Sequence, residues 1–230
     1  MTKRKMENFL AKELKRKLDE STPRKFDKIH VSKRPFQVPK LKKQWHNAYG
    51  RPLKVPTSLI PPLQPEIDMI LCKGQSMLAI ELKYFKRKGN SLNHSFYEGI
   101  EQALALLRWG FDHVALWQLF EESISAEELW FYGGWTWTFL HGEPKHGGLN
   151  LPIEFTFMLV TKSENEYDFR PIQPRFVSGV HVRGIQLDVL FPIYDRRFHF
   201  RTKHPNPLVK CPEVQKLRRM LVEWLKTQKV

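Results

Sequence analysis

The segment PEIDMILCKGQSMLAIELK, residues 65–83, constrains this chain more than any other. Two apolar runs of strand length, 66–72 and 77–85, flank the polar link Lys73-Gly74-Gln75-Ser76, a connection of hairpin type. Period-two alternation puts Glu66 and Asp68 on one face of the first strand, opposite Ile67 and Met69. In the second strand it puts Glu81 and Lys83 together, opposite Ile80 and Leu82. A hairpin therefore brings Asp68 toward Glu81 and Lys83 on one polar face. Neither Asp68 nor Lys83 is expected in the apolar core.

What surrounds the hairpin sets the fold class. Upstream, Met6, Phe9, Leu10, Leu14 and Leu18 predict a helix over 5–18. The proline-rich stretch 23–65 favours extended segments, with strands near 28–31 and 53–59. Downstream, the basic loop Lys86-Arg87-Lys88-Gly89-Asn90 leads to a helix over 94–108. Its stripe is Phe96, Ile100, Ala103, Leu104 and Leu107, and Gly110 is placed to end it. A short apolar strand follows at 113–119. Helix, extended segment, hairpin, helix and strand in that order predict an α/β fold, a mixed central sheet flanked by helices. Beyond residue 120, a helix starts within 125–130, a strand spans 153–161, and a terminal helix covers 212–226. That last helix carries Val214, Leu217, Leu221, Trp224 and Leu225 on one stripe. No linker divides the chain, so one domain over 1–230 is expected, with a core at about 53–120, a basic extension over 1–50 and an elaboration over 121–230.

Two carboxylates held close together repel unless a cation neutralises them, and hard oxygen donors suit Mg²⁺ or Mn²⁺. A neighbouring lysine can position a water aimed at phosphorus, and metal with lysine meets the needs of phosphodiester hydrolysis. The acid-x-Lys tripeptide alone carries little weight, since it occurs three times. Glu13-Leu14-Lys15 lies on the predicted helix, where i and i+2 point apart, and Glu143-Pro144-Lys145 lies in a Gly/Pro loop. Only Glu81-Leu82-Lys83 is framed by strand residues and preceded by a strand acid at hairpin distance. The competing reading is an amphipathic hairpin whose charges face water.

Residues 65–107 resemble the core of the PD-(D/E)XK nuclease superfamily, with its restriction-endonuclease-like fold. Asp68 matches the first acid of that pattern, and Glu81 and Lys83 match the (Asp/Glu)-x-Lys pair. Glu66-Ile67-Asp68 is similar to the run found in the Holliday junction resolvase-like branch. The resemblance implies a metal-dependent nuclease with Asp68 and Glu81 as metal ligands and Glu66 as a further acid. It also implies a helical acid early in the chain, for which Glu13 and Glu7 both qualify, and a helix glutamine, for which Gln102 stands in place. The aromatic usual four residues after that glutamine is Leu106 here. Gln102 also pairs in helical spacing with Glu98, and a solvent-facing polar pair is the other reading of both.

The formal charge of +14 is uneven: residues 1–50 hold 15 Lys/Arg against 5 Asp/Glu. A basic block of this kind suits a polyanion, nucleic acid first, with a merely soluble basic surface or a membrane-surface segment as the other readings; the nuclease resemblance implies DNA. Lys86, Arg87 and Lys88 follow the hairpin directly, and Arg196, Arg197, Arg201 and Lys203, with His199 and interleaved Phe198 and Phe200, read as a second phosphate-contacting edge. The aromatic run WFYGGWTWTF, 130–139, reads either as core packing or as a platform for unpaired bases. His141 and His146 lack partner ligands at zinc spacing and are expected to be exposed. With only Cys72 and Cys211, no 18-residue apolar run and no leader-like N-terminus, a cytoplasmic protein without a membrane span is expected. Cutting both strands of a duplex with one such site calls for a homodimer. The alternative to an enzyme is a non-catalytic nucleic-acid-binding module that keeps the same fold.

Overall fold

The computed structural model describes residues 2–20, 26–33, 66–89, 91–92, 97–142, 144, 147–164, 166–172 and 205–228. The expected strand at 53–59, Phe96 with the start of its helix, His146, and the basic edge carrying Arg196, Arg197, Arg201 and Lys203 lie outside the described residues.

Helix α1 (Lys3–Glu20) opens the chain. Six strands then form one sheet: β1 (Lys28–Lys33), β2 (Ile67–Lys73), β3 (Ser76–Phe85), β6 (His113–Glu121), β7 (Glu154–Lys162) and β8 (Tyr167–Ile172), in the order β1-β2-β3-β6-β7-β8. β3, β6 and β7 run parallel at the centre, and β1, β2 and β8 pair antiparallel outside them. A two-stranded ribbon, β4 (Arg87–Lys88) with β5 (Ser91–Leu92), projects from the end of β3. Helices α2 (Ile100–Leu107), α3 (Ala126–His141) and α4 (Pro212–Thr227), with a short 3-10 helix at Pro207–Lys210, complete the described elements. This is an α/β fold with a mixed sheet flanked by helices. The sheet draws β1 from the basic N-terminal block and β7 and β8 from beyond residue 121.

Each face of the sheet has its own core. Leu10, Leu14 and Leu18 of α1 pack on Met69, Leu71, Leu78, Ile80 and Leu82. On the other face Ile100, Ala103, Leu106 and Leu107 of α2, Leu129 and Leu140 of α3, and Leu217, Leu221 and Trp224 of α4 pack with Ala79, Leu116 and Phe120. The expected stripe of α2 needs one correction. Leu104 faces solvent and Leu106 is fully buried, because α2 starts only at Ile100 and its buried arc is Ile100, Ala103, Leu106 and Leu107. Gly110, at φ +82°, sits in the turn after α2, where a Cβ would lie 2.7 Å from Arg218 Cβ. Asn206 ties this corner together: its Nδ2 donates to the carbonyls of Leu107 (2.9 Å) and Phe111 (2.7 Å), and its Oδ1 accepts from Leu208 N–H. No helix of the described residues is long and apolar enough to cross a membrane.

Candidate active site

The hairpin register explains how the charges meet. The last pair at the open end of β2 and β3 is Met69 with Ile80, and the next step sets Asp68 opposite Glu81. Beyond it the two strands part, while β2 continues to Ile67 by pairing with Lys33 of β1. The N–H groups of Leu82 and Tyr84, on the abandoned edge of β3, then need other acceptors. Two carboxylates supply them: Leu82 N–H donates to Asp68 Oδ2 (2.7 Å), and Tyr84 N–H donates to Glu7 Oε1 of α1 (3.1 Å). Glu7 can reach there because it shares a helical face with Leu10, Leu14 and Leu18, which dock α1 on the sheet. The early helical acid at the site is therefore Glu7. Glu13 lies six residues on, about 9 Å along the axis, and its carboxylate accepts from Arg16 instead (3.3 Å).

Burial makes this cluster unusual. Asp68, Lys83 and Glu7 are each 7% exposed, and Glu81 only 1%. The expectation that Asp68 and Lys83 stand clear of the core fails, because α2 covers this face and Phe85 and Ala79 flank the charges along β3. The water-facing amphipathic hairpin fails with it. Lys83 Nζ lies 2.6 Å from Glu81 Oε1, whereas Glu81 Oε2, also buried, has no hydrogen-bond partner among the described residues. Outside the cluster, Glu66 is paired with Arg4 of α1.

One buried ammonium thus faces three buried carboxylates. Burial pushes Asp68 up to about 7; the Leu82 N–H and Lys83 oppose that, while Glu7 and Glu66 add to it. Burial likewise pushes Glu81 up to about 8, with the charge of Asp68 adding to it and Lys83 opposing. For Lys83, burial works against the charged form, but Glu81, Glu7 and Asp68 outweigh it and its pKa is raised. The site carries more negative charge than its own lysine balances, and it must hold protons or gain a cation.

An orphaned, buried carboxylate oxygen beside a second carboxylate is the donor chemistry a hard divalent cation uses, so the residues present fit Mg²⁺ or Mn²⁺. Among the described residues no group of three or more His, Cys, Asp or Glu is placed to hold a metal ion. Cys72 offers no competing nucleophile, since burial pushes its thiol up to about 11.

The remaining expected site residues divide. Gln102 lies in the first turn of α2, half-buried, without a hydrogen bond to Lys83. Glu98 stands in the turn before α2 and pairs with Lys3 of α1. Arg87 is engaged within the protein: its N–H donates to Glu121 (3.0 Å), its Nε to Ser123 O (3.2 Å), and its guanidinium pairs with Glu128 of α3. Lys86 and Lys88 instead line a groove with Lys3 and Lys162, floored by Tyr84 and Tyr167. His141 is no exposed loop residue; it ends α3, and its Nε2 lies 2.6 Å from Ile153 O.

Two residues bear on Lys83 that the sequence did not single out. Gly99, at φ +90°, lies so close that a Cβ would fall 2.9 Å from Lys83 Cγ, so the turn before α2 clamps the lysine stem. Gln118, fully buried on β6, is in register with Lys83 and accepts from Thr136 Oγ1 (3.4 Å). The lone polar residue within the apolar run 114–119 was the available signal for Gln118. No family model matches the chain, and neither a curated protein nor a solved structure does.

Proposed function

We propose that this chain is a metal-dependent nuclease of the PD-(D/E)XK type that hydrolyses phosphodiester bonds in DNA. One observation carries the reading: Glu7, Asp68 and Glu81 are buried together beside a single buried lysine, with Glu81 Oε2 lacking a partner among the described residues. Burying unbalanced charge is costly, and a structural role alone is better served by apolar residues. Asp68 and Glu81 would hold Mg²⁺ or Mn²⁺, with Glu7 close enough to add to the field. When bound, a divalent ion neutralises phosphate oxygens and lowers the pKa of its water. Lys83, released from Glu81, would position a water or the scissile phosphate, its stem packed against Gly99.

The 2.6 Å Lys83–Glu81 ion pair is the observation that favours the alternative, a binding module whose charges only pair. Cleavage and binding measured on the same folded variants separate the two. Purified protein should cut plasmid or branched DNA with Mg²⁺ and not with EDTA. Asp68→Asn should lower cleavage by at least about a hundredfold, the scale of losing a positioned catalytic group, with binding retained. Lys83→Met should do the same while keeping the stem that Gly99 packs against, which Lys83→Ala would not. Full cutting by both variants removes this site, and equal cutting in EDTA removes the metal.

A further inference from the structure

The carboxyl ends of β3, β6 and β7 finish level with one another: Phe85 pairs with Phe120, and Glu121 with Val160. A groove of about 510 Å³ opens there, and the crevice outside the carboxyl ends of parallel strands is where α/β sheets take their ligands. Its volume suits one small ligand. Strand alternation decides what lines it. Tyr84 and Lys86, Glu121, and Val160 and Lys162 fall on the face that carries α1, whereas Glu81 and Lys83 fall on the other. Two kinds of surface meet in this groove. Met6, Val160 and the rings of Tyr84 and Tyr167 are apolar, and Tyr167 is held edge-on to Phe9 at 5.3 Å. Lys3, Lys86, Lys88 and Lys162 supply four positive charges against the two negative charges of Glu121 and Glu122. Among the described residues neither Lys86 nor Lys162 has an ion-pair partner, although two carboxylates share the groove with them. Glu121 accepts from Arg87 N–H instead (3.0 Å).

We propose that this groove binds a nucleotide, with Lys86, Lys88 and Lys162 on its phosphates and its base against Tyr167. Ammonium groups gathered in a concavity repel one another and focus their field on whatever enters, so a multivalent anion is the ligand they favour. Lysine is a point-charge binder of phosphate with three donors to offer. Burial first, then Glu121, Tyr167 and Glu122, push the Tyr84 hydroxyl up to about 12, so it stays a neutral donor. A bare inorganic anion would leave Met6 and the two rings without a role, and a flat base joined to phosphate uses both surfaces. A free nucleotide and the end of a nucleic-acid strand share this chemistry. The groove is separate from the cluster of Asp68, Glu81 and Lys83, and the inference goes beyond the nuclease reading because it needs neither metal nor cutting.

The test is fluorescence anisotropy in EDTA, where the acidic cluster holds no cation and repels phosphate. The probes are N-methylanthraniloyl-ADP and a fluorescein-labelled oligo-deoxythymidine. Wild-type protein should bind at least one of them with a Kd below about 1 mM. The Lys86→Gln/Lys162→Gln double variant should lose at least about tenfold, the scale of two charge-assisted contacts. Both lysines are exposed, so its melting temperature should not move. Lys12→Gln/Lys216→Gln, the same change of charge at exposed positions of α1 and α4, should stay within about twofold. Tyr167→Leu should lose at least about fivefold, as a base deprived of its ring does. Tighter binding of the ADP probe names a free nucleotide, and tighter binding of the oligonucleotide names a strand; either supports the site. Binding of neither probe overturns it, as does a double variant that binds like wild type or a control that loses as much. Inorganic pyrophosphate that competes as well as ADP overturns the nucleotide and leaves a plain anion site. Because no metal is present, failure here leaves the nuclease reading standing, and plasmid left intact in Mg²⁺ retires the nuclease alone.

Discussion

At the residue scale, burial raises the pKa of both Asp68 and Glu81 well above the ordinary carboxylate range. Their pKa values stand at about 7 and 8, against 3.8 and 4.5 for the free side chains. Between those limits the native state holds protons that the unfolded state has released, so stability must fall as pH rises through the window. We expect the melting temperature of the metal-free protein to drop from about pH 5 to about pH 8, by about 2–4 °C for each kcal/mol lost. Mg²⁺ should restore it at the upper end and do little at the lower, because binding requires the ionised carboxylates. Asp68→Asn, which removes a charge that is costly to bury, should flatten the fall. A melting temperature independent of pH, or equally raised by Mg²⁺ at both ends, would show that the pair is ionised throughout. Most of this residue set was legible beforehand. Alternation alone put Asp68, Glu81 and Lys83 together, and helical phase could have chosen Glu7 over Glu13, since residues 7, 10, 14 and 18 share a face. Burial was not legible. Whether a polar strand face meets water or a helix is decided by what packs there, and α2 lies some twenty residues downstream of the hairpin.

At the element scale, α1, β1, β2, β3, β6, β7 and α4 emerged close to their expected bounds, most of them segments with one clean period. α3 has apolar residues around its whole circumference and no polar face to give it phase, so only its start was readable. That start is a capping box, in which Ser125 Oγ accepts from Glu128 N–H (3.2 Å) and Glu128 accepts from Ser125 N–H (3.0 Å). β8 escaped notice because YDFRPI is short, half polar and ends near a proline, which suits an outer strand but also a loop. Nothing in the sequence marked Asn206, which stands between Pro205 and Pro207 and whose partners lie about a hundred residues away. Yet its side chain satisfies the Leu107 carbonyl at the end of α2 and the Phe111 carbonyl beyond it. Asn206→Ala should therefore cost roughly 2–4 kcal/mol, the penalty for two carbonyls left buried without donors. Denaturant unfolding measures this directly, and a loss under about 1 kcal/mol would mean that other donors take over.

At the scale of the whole molecule, net charge is a poor guide to where nucleic acid would lie. Much of the basic N-terminal block is spent internally: Lys3 on Glu98, Arg4 on Glu66, Lys15 on Asp19, Arg16 on Glu13 and Glu20, and Lys17 on Glu166. The exposed Lys86 and Lys88 beside the end of β3 are better placed to displace counterions. Replacing both with glutamine should reduce the slope of log affinity against log salt by about 2, near 0.9 for each phosphate no longer neutralised. Neutralising Lys15, Arg16 and Lys17 should change it by less than about 1. The reverse ranking would put α1, and not the groove, against the phosphates. The parting of β2 and β3 has a different kind of consequence, for how descendants of this chain would decay. Asp68 and Glu7 each cap a backbone N–H that the departed strand left behind, so folding alone would retain them, whatever the site does. Glu81 and Lys83 cap no part of the backbone ladder. In a relative, retention of the first two acids would then carry no information about chemistry, and loss of the second pair would leave the fold in place.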